Sequence, residues 1–449
     1  MKFRNGKGNC EVASAALVGL LALGLVGCGR TEAVSEPGPQ PAEILRPRQP
    51  ADRNSTIGFL EDRLKNDPDD FVALNKLGGA YLQRLRETGD VAYLDLALRA
   101  AGSSLTVLPA EKNKGGLAIR AQAKFSSHDF AGARDDATRL AALEPAKGYP
   151  YQILGDALLE LGDYQQADDA YRKMQELGGV SDQARIGMEQ RLGRRAFLSG
   201  DLKKSGELYG NALKLALKPP GAMPETLGWC YWQAGEAAFK TGDYATAEKQ
   251  YRLSLDTFPN YPQAVASLGR SRAAQGDMAG AIEQFETVVR RLPDPVFVAE
   301  LGDLYQLAGR PEDAARQYTL VEQIARLTAL SGRLYNRQLA LFYADHDMKP
   351  DEAYQMAVGE YENRKDVYGA DAVAWTAFKA GKMPEAQAAM KEAMRLGTRD
   401  ARLFYHAGMI AGSLGDRDES RRLLEAALKL NPAFDQLQAQ KARTQLSQN

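Results

Sequence analysis

The chain of 449 residues has few of the side chains on which catalysis and metal binding depend. It contains three cysteines, at positions 10, 28 and 230, and three histidines, at positions 128, 346 and 406. No histidine has a second metal ligand at the usual spacing, and no GxSxG, Walker or HExxH pattern occurs. We therefore predict a protein that is not an enzyme, with no catalytic residues, no metal site and no cofactor.

The chain also lacks an excess of charge of either sign. It has 57 Lys and Arg against 58 Asp and Glu, a net charge of −1. Removing residues 1–27, which carry three Lys or Arg and one Glu, takes this to −3. A nucleic-acid-binding protein needs a basic surface to neutralise phosphates. The sequence therefore predicts no nucleic-acid partner.

A signal peptide is predicted at the N-terminus. Basic residues come first, and the apolar run VASAALVGLLALGLVG follows and ends before Cys28. The run is short for a membrane-spanning helix, and its end, LVGC, resembles the bacterial lipobox. The resemblance implies that residues 1–27 are removed and that Cys28 carries lipid, each buried methylene adding ~0.8 kcal/mol of membrane affinity. The alternatives are a plain signal peptide or an uncleaved anchor.

Export and lipid anchoring set the expected location. Gly29 follows the cysteine, so no acidic residue stands there. In a two-membraned bacterium this favours the periplasmic face of the outer membrane, and otherwise the outer face of the cytoplasmic membrane. Residues 28–55 are rich in proline and poor in aromatics, which predicts a disordered tether. The predicted membrane contact is through the lipid alone.

The rest of the chain repeats itself. GDYQQADDAY at residues 162–171 is matched by GDYATAEKQY at residues 242–251. Gly242, Gly276 and Gly309 follow one another at spacings of 34 and 33, and Gly381 and Gly415 are 34 apart. A period near 34 with these residues resembles the tetratricopeptide pattern W-x2-L-G-x2-Y…A-x3-F…P. The resemblance extends over roughly residues 71–432.

The resemblance implies an all-α, right-handed α-solenoid of about nine to ten helical hairpins. We assign residues 56–432 to the solenoid, with one unmatched helix ahead of Phe71, and residues 433–449 to a C-terminal capping helix and tail. The turn glycines are expected in the left-handed conformation, and the Asp after each of them is expected to cap the next helix. Segments such as LALFYADHDMKPDEA are similar to a group of exported bacterial tetratricopeptide proteins of largely undefined function.

The fold implies a concave groove lined by the first helix of each hairpin. All three tryptophans of the chain fall on this face by register. Aromatic anchors of this kind dominate many protein interfaces. The alternative is that they pack against the next helix. The predicted groove residues are Trp229, Trp232, Glu236, Phe239, Arg270, Asp303, Trp375 and Phe378.

These observations lead to three hypotheses about function. The first is a lipid-anchored, non-enzymatic scaffold that binds a segment of an envelope protein, of unknown identity, through the concave groove. The second is an architectural subunit of an outer-membrane assembly, pilus or polysaccharide-export complex that uses its convex side or its ends. The third, a small-ligand receptor or an enzyme, lacks the convergent polar groups that such pockets need.

Overall fold

The computed structural model describes residues 53–178, 181–330 and 336–448. These ranges form twenty-two α-helices and no strand. The first helix stands alone, and the last one closes the stack. In chain order the helices are α1 (Arg53–Asn66), α2 (Phe71–Thr88), α3 (Ala92–Val107), α4 (Lys114–Ser126), α5 (Phe130–Leu143), α6 (Tyr149–Leu161), α7 (Tyr164–Leu177), α8 (Asp182–Leu198), α9 (Leu202–Leu217), α10 (Pro224–Lys240), α11 (Tyr244–Thr257), α12 (Pro262–Ala274), α13 (Met278–Arg291), α14 (Pro295–Leu307), α15 (Pro311–Leu330), α16 (Asn336–Asp345), α17 (Pro350–Asn363), α18 (Val367–Lys379), α19 (Met383–Ala393), α20 (Ala401–Ser413), α21 (Arg417–Leu430) and α22 (Gln436–Gln448).

The predicted signal peptide, residues 1–27, and the predicted lipidation site, Cys28, lie outside the described residues. The predicted tether extends to Ser55, whereas α1 already begins at Arg53. Between Arg53 and Gln448, none of the described helices has the length and apolarity needed to cross a bilayer.

Helices α2 to α21 pair in sequence order as ten hairpins, which we call units 1 to 10. Unit 1 is α2 with α3, and unit 10 is α20 with α21. Each hairpin also packs on the next, so apolar stripes that no single hairpin could bury are covered by neighbours. Ten units agree with the predicted nine to ten, and α1 and α22 flank them as expected.

A glycine in the first helix of several units lies under an aromatic ring from the second helix. A Cβ at Gly155 would lie 2.5 Å from Tyr171, and one at Gly235 would lie 2.5 Å from Tyr251. Both tyrosines are fully buried. The repeated glycine therefore exists because the ring of its own hairpin occupies the space that a side chain would need.

The turns inside the units follow the predicted backbone chemistry. Gly162, Gly242 and Gly276 have φ values of 84°, 80° and 87°, which favour glycine over other residues. Asp277 accepts a hydrogen bond from the N–H of Gly280 and so caps α13. Asp163 is an exception, because it stands at the start of α7 but makes no capping hydrogen bond.

The stack coils back on itself, so that its later units lie against its earlier ones. The hydroxyl oxygen of Tyr164, at the unit 3 turn, accepts a hydrogen bond from the N–H of Val367 at 2.8 Å. At the unit 5 turn, Tyr244 accepts one from the N–H of Ala433 at 2.9 Å. The turn of unit 3 thus meets the linker after unit 8, and the turn of unit 5 meets the linker after unit 10. The offset is five units in both cases. We call this line of turn-to-linker contacts the seam.

Candidate functional site

The inner face of the coil retains cavities rather than one open groove. A cavity of about 300 Å³, the upper cavity, lies between units 3 to 5 and the linker after unit 8. A second cavity of about 300 Å³, the lower cavity, lies between unit 5 and units 8 to 10. Both cavities are lined by Glu236, Lys240 and Tyr368. Helix α10 is therefore the wall that the two cavities share.

The structure buries two of the three tryptophans predicted to line the groove. Trp232 is 2% exposed, and its indole N–H donates to Ser267 Oγ at 3.0 Å. Trp375 is 0% exposed, and its indole N–H donates to Asp345 Oδ1 at 2.9 Å. Their assignment as partner-contacting residues is wrong for this conformation, because both indoles are satisfied inside the protein. The alternative, packing between units, is the correct one for them.

Trp229 and Phe378 keep part of their surface exposed. The ring of Trp229 lies 4.8 Å from that of Trp232 and also lines the upper cavity. Phe378 packs on Trp375 with ring centroids 5.2 Å apart, away from both large cavities. Trp229 and Trp232 both line the upper cavity, and of the two only Trp229 is partly exposed.

Among the described residues, the groups that donate hydrogen bonds to Glu236 are all uncharged. Its Oε1 accepts from the hydroxyl of Tyr251 at 2.8 Å and from Ser267 Oγ at 2.8 Å. Lys240, four residues later on the same helix face, lies over the ring of Phe197 and 3.7 Å from Asp400. The shared wall thus presents an acid and a base beside aromatic surface.

Two other predicted groove residues are held in contacts inside the protein. The guanidinium of Arg270 donates to both carboxylate oxygens of Glu300, in the next unit, at 2.7 and 2.8 Å. Asp303 accepts a hydrogen bond from the hydroxyl of Tyr318, in the same unit, at 2.8 Å. Together with Phe239, Arg270 and Asp303 line a small cavity of about 80 Å³, which the start of α22 borders. Both charged groups are therefore engaged inside the protein, which leaves little of their charge available to a partner.

Asp303 also faces a histidine that has an acceptor at each ring nitrogen. His346 Nε2 lies 2.7 Å from Asp303 Oδ1, and Nδ1 lies 2.7 Å from the carbonyl oxygen of Phe342. Acceptors at both nitrogens favour the doubly protonated ring. Burial alone would lower the pKa of His346, but the hydrogen bond to Asp303 and its charge outweigh burial and raise that pKa.

The strongest charge contact of the inner face belongs to the seam. The carboxylate of Glu160 pairs with Arg194 of unit 4 and with Arg364 of the linker after unit 8. Burial would raise the pKa of Glu160, but the two guanidinium groups lower it to about 2. This carboxylate therefore stays ionised throughout the ordinary pH range and holds the two cations together.

The remaining cysteine of the described residues is not a nucleophile. Cys230 is 1% exposed, and its sulfur accepts a hydrogen bond from Gln190 Nε2 at 3.2 Å. Burial raises the pKa of the Cys230 thiol to about 12. A thiolate is needed for nucleophilic attack and is not formed there at neutral pH.

Two lining residues that sequence reasoning missed come from distant parts of the chain. Arg364 and Tyr368 reach the upper cavity from positions more than a hundred residues beyond α10. The repeat period does not predict contacts between units so far apart in the chain. Lys240 is different, because its spacing of four from Glu236 places it on the same face of α10. That signal was present in the sequence.

Comparison with known proteins identifies the repeats. Tetratricopeptide-repeat family models match residues 233–295, in units 5 and 6, and residues 149–177 and 401–434, in units 3 and 10. The chain is 34% identical over 113 residues to human tetratricopeptide repeat protein 36 and 33% identical over 113 residues to the mouse protein. These alignments cover 24% of this chain and 56% and 57% of the two relatives, so the chain spans little more than half their length.

Among solved structures, yeast Tom70 is similar, with a TM-score of 0.41 and 16% identity over 88% of this chain and 92% of Tom70. The helical hairpins follow one another without interruption by another fold through the described part of the chain. Their glycine and aromatic residues stand at the positions that the repeat pattern requires. Tetratricopeptide-repeat models thus match units 3, 5, 6 and 10, and hairpins of the same kind occupy the rest of the described stack.

Proposed function

We propose that the protein is a lipid-anchored, non-enzymatic scaffold that binds a segment of a protein in the cell envelope. Tetratricopeptide-repeat proteins act as scaffolds for protein–protein interaction, which supports the coarser part of this proposal. The LVGC motif at Cys28 supports the anchor. No catalytic group stands out in the cavities that the described residues form, and the buried thiol of Cys230 is inert.

The partner would contact the wall of α10 that the two cavities share. The observation that carries this choice is the position of Glu236 and Lys240, which line both cavities beside the partly exposed ring of Trp229. Aromatic surface next to an acid and a base can bury apolar atoms and fix orientation. We therefore replace the predicted groove from Trp229 to Trp375 by this smaller surface.

Crosslinking in intact cells tests the surface. A photoreactive amino acid at Gln233, which lines the upper cavity, should capture one defined protein. The same probe at the exposed Lys203 on α9 serves as the control position. We expect capture at position 233 to fall at least about tenfold with Trp229→Ala, which removes the aromatic anchor. Equal capture of that protein at both positions would rule out the inner surface.

The anchor is tested separately from the surface. A Cys28→Ser variant has no thiol to accept lipid, so we expect it in the soluble fraction after cell lysis. A Cys230→Ser variant is the matched control and should remain with the membrane. If Cys28→Ser also remains there, lipidation is not what holds the protein.

The seam favours a second candidate function. Because the later units cover much of the inner face, an architectural subunit of an envelope assembly would use the convex side or the ends of the coil. Such a complex should survive detergent and high salt, and the probe at Lys203 should capture its neighbour. A complex that salt dissolves and that is captured at Gln233 would favour the scaffold instead.

A further inference from the structure

The seam contacts recur with a constant offset along the coil. A Cβ at Gly162 would clash with the carbonyl oxygen of Lys365, and a Cβ at Gly200 would clash with that of Gly397. Thr398 Oγ1 donates to the carbonyl oxygen of Leu198 at 2.5 Å. The turns of units 3 and 4 thus approach the backbone of the linkers after units 8 and 9 closely enough that only glycine fits.

The turns of the later units meet nothing comparable. Gly276, Gly309, Gly381 and Gly415 have φ values between 71° and 88°, like the seam glycines, but a Cβ there would have no atom within 4 Å among the described residues. The backbone conformation is therefore a property of the repeat, whereas the close approach is a property of the seam. Substitutions in the two groups of glycines therefore distinguish backbone strain from a steric clash at the seam.

The seam is less extensive than the contacts inside the hairpins it joins. A hydrophobic cluster crosses it at units 3 and 4, where Tyr164 and Leu198 share a cluster with Val367 and Leu396. At unit 5 the contacts include the hydrogen bond of Asn431 Nδ2 to the carbonyl oxygen of Phe239 and the distant pair of Lys240 with Asp400. Interfaces with little buried apolar area open before those with much.

With the seam closed, the linkers of the later units stand beside the wall of α10. Arg364, Asp400 and Asn431, from the linkers after units 8, 9 and 10, line the two large cavities together with Glu236 and Lys240. A helix with its side chains has a diameter of about 10 Å. A helical segment laid along α10 would therefore meet these linkers.

We propose that the seam gates the inner face, so that a partner segment reaches the wall of α10 only after the turns of units 3 to 5 separate from the linkers after units 8 to 10. This regulates the surface named in the proposed function. The gate is nevertheless a property of the chain alone, because its opening is measured without any partner. Failure of the gate and failure of the proposed function are thus seen in different experiments.

Thiol labelling measures access to the inner face. The full chain carries Cys10→Ser and Cys28→Ser, and Ser205→Cys places a buried thiol in the lining of the upper cavity. The native Cys230 is buried and does not compete. Two double variants are compared in this background: Gly162→Ala with Gly200→Ala, which push the seam apart, and Gly276→Ala with Gly415→Ala, which carry the same backbone strain away from it.

We expect maleimide to label the buried thiol introduced at position 205 at least about tenfold faster in the seam variant than in the parent, since labelling follows the population of the open state. The control variant should label like the parent. Equal rates in the seam and control variants would overturn the proposal.

A second pair applies if circular dichroism shows that the seam variant does not fold. Tyr164→Phe with Tyr244→Phe removes two seam hydroxyls and no backbone group, and Tyr81→Phe with Tyr305→Phe removes two hydroxyls that bond carboxylates away from the seam and the large cavities. Faster labelling in the first pair alone supports the gate. Identical rates in both pairs contradict it.

Discussion

The ring of Tyr171 lies against Gly155 so closely that a Cβ at that glycine would be 2.5 Å from Tyr171 Cε1. The tyrosine is held there from its other end, because its hydroxyl donates to Asp156 at 2.9 Å. Asp156 in turn accepts from the guanidinium of Arg191 in the next unit. One glycine thus permits a chain of contacts that links the two helices of unit 3 with unit 4.

Gly155→Ala should therefore destabilise the protein. The added methyl must displace a buried ring that cannot move without losing its hydrogen bond, and overpacking of this kind costs about 1–3 kcal/mol. Gly102→Ala is the matched control, since Gly102 lies inside α3 with no described atom within 4 Å of a built Cβ. That change should stabilise α3 by about 0.5–1 kcal/mol. Urea denaturation monitored by circular dichroism measures both free energies of unfolding.

Trp375→Ala should act on stability. The indole is fully buried, stacks on His406 with ring centroids 4.2 Å apart and donates to Asp345, so its removal should cost about 3–5 kcal/mol. Trp229→Ala, at a partly exposed residue, should cost less than about half as much. Thermal and urea denaturation of the two variants make the comparison. Equal losses would mean that the two side chains are buried alike in solution.

The capping residues offer a test of local stability. Asp277→Ala removes an acceptor that lies 2.9 Å from the N–H of Gly280, and the loss should be about 1 kcal/mol. Asp163→Ala, at the equivalent position of α7, removes no capping hydrogen bond and should cost clearly less. Urea denaturation again gives the two values. A larger loss at Asp163 would show that this side chain caps α7 after all.

The raised pKa of His346 makes stability depend on pH in a defined direction. Its pKa is raised above the ordinary value of 6.5, so its stabilising contribution is complete below about 6.5 and is lost as the pH rises through the folded-state value. We expect the free energy of unfolding of the wild type to fall over that window. His346→Gln should remove this part of the dependence.

His128 provides the control for this pH dependence. Burial lowers the pKa of His128 to about 4, so its effect belongs to the acidic side of pH 6.5. A His128→Gln variant should keep the loss of stability above pH 6.5. Denaturation curves from about pH 5 to 9 on the three proteins decide the matter, and an unchanged slope in His346→Gln would contradict the assignment.

Much of the fold could be predicted from the sequence because the interactions that define it are local. The period near 34, the glycine at each turn and the aromatic residue sixteen positions after Gly155 or Gly235 all describe contacts within one hairpin or between neighbours. Such contacts require the same residue types at the same spacing in each repeat. The turn glycines and the number of units could therefore be predicted from this pattern.

The candidate site could be predicted only in part, for a physical reason. Register alone places Trp232 and Glu236 on the first-helix face, but it does not say whether another unit lies against that face. The first residue of the second helix gives no clear signal of the seam. It is Tyr164, Leu202 and Tyr244 in units 3 to 5, but it is also apolar in units 6 and 9, at Met278 and Met383, whose turn glycines have no described atom within 4 Å of a built Cβ.

The sequence by itself determined the repeating hairpins, because each one depends on residues within about 34 positions of one another. Only the tertiary structure decided that the coil closes on itself, that Trp232 and Trp375 are buried, and that Glu160 holds Arg364 about two hundred residues away. The reason is geometric. The small rotation between successive units determines which later unit lies against an earlier one. That rotation depends on many packing contacts together, and no single motif encodes it.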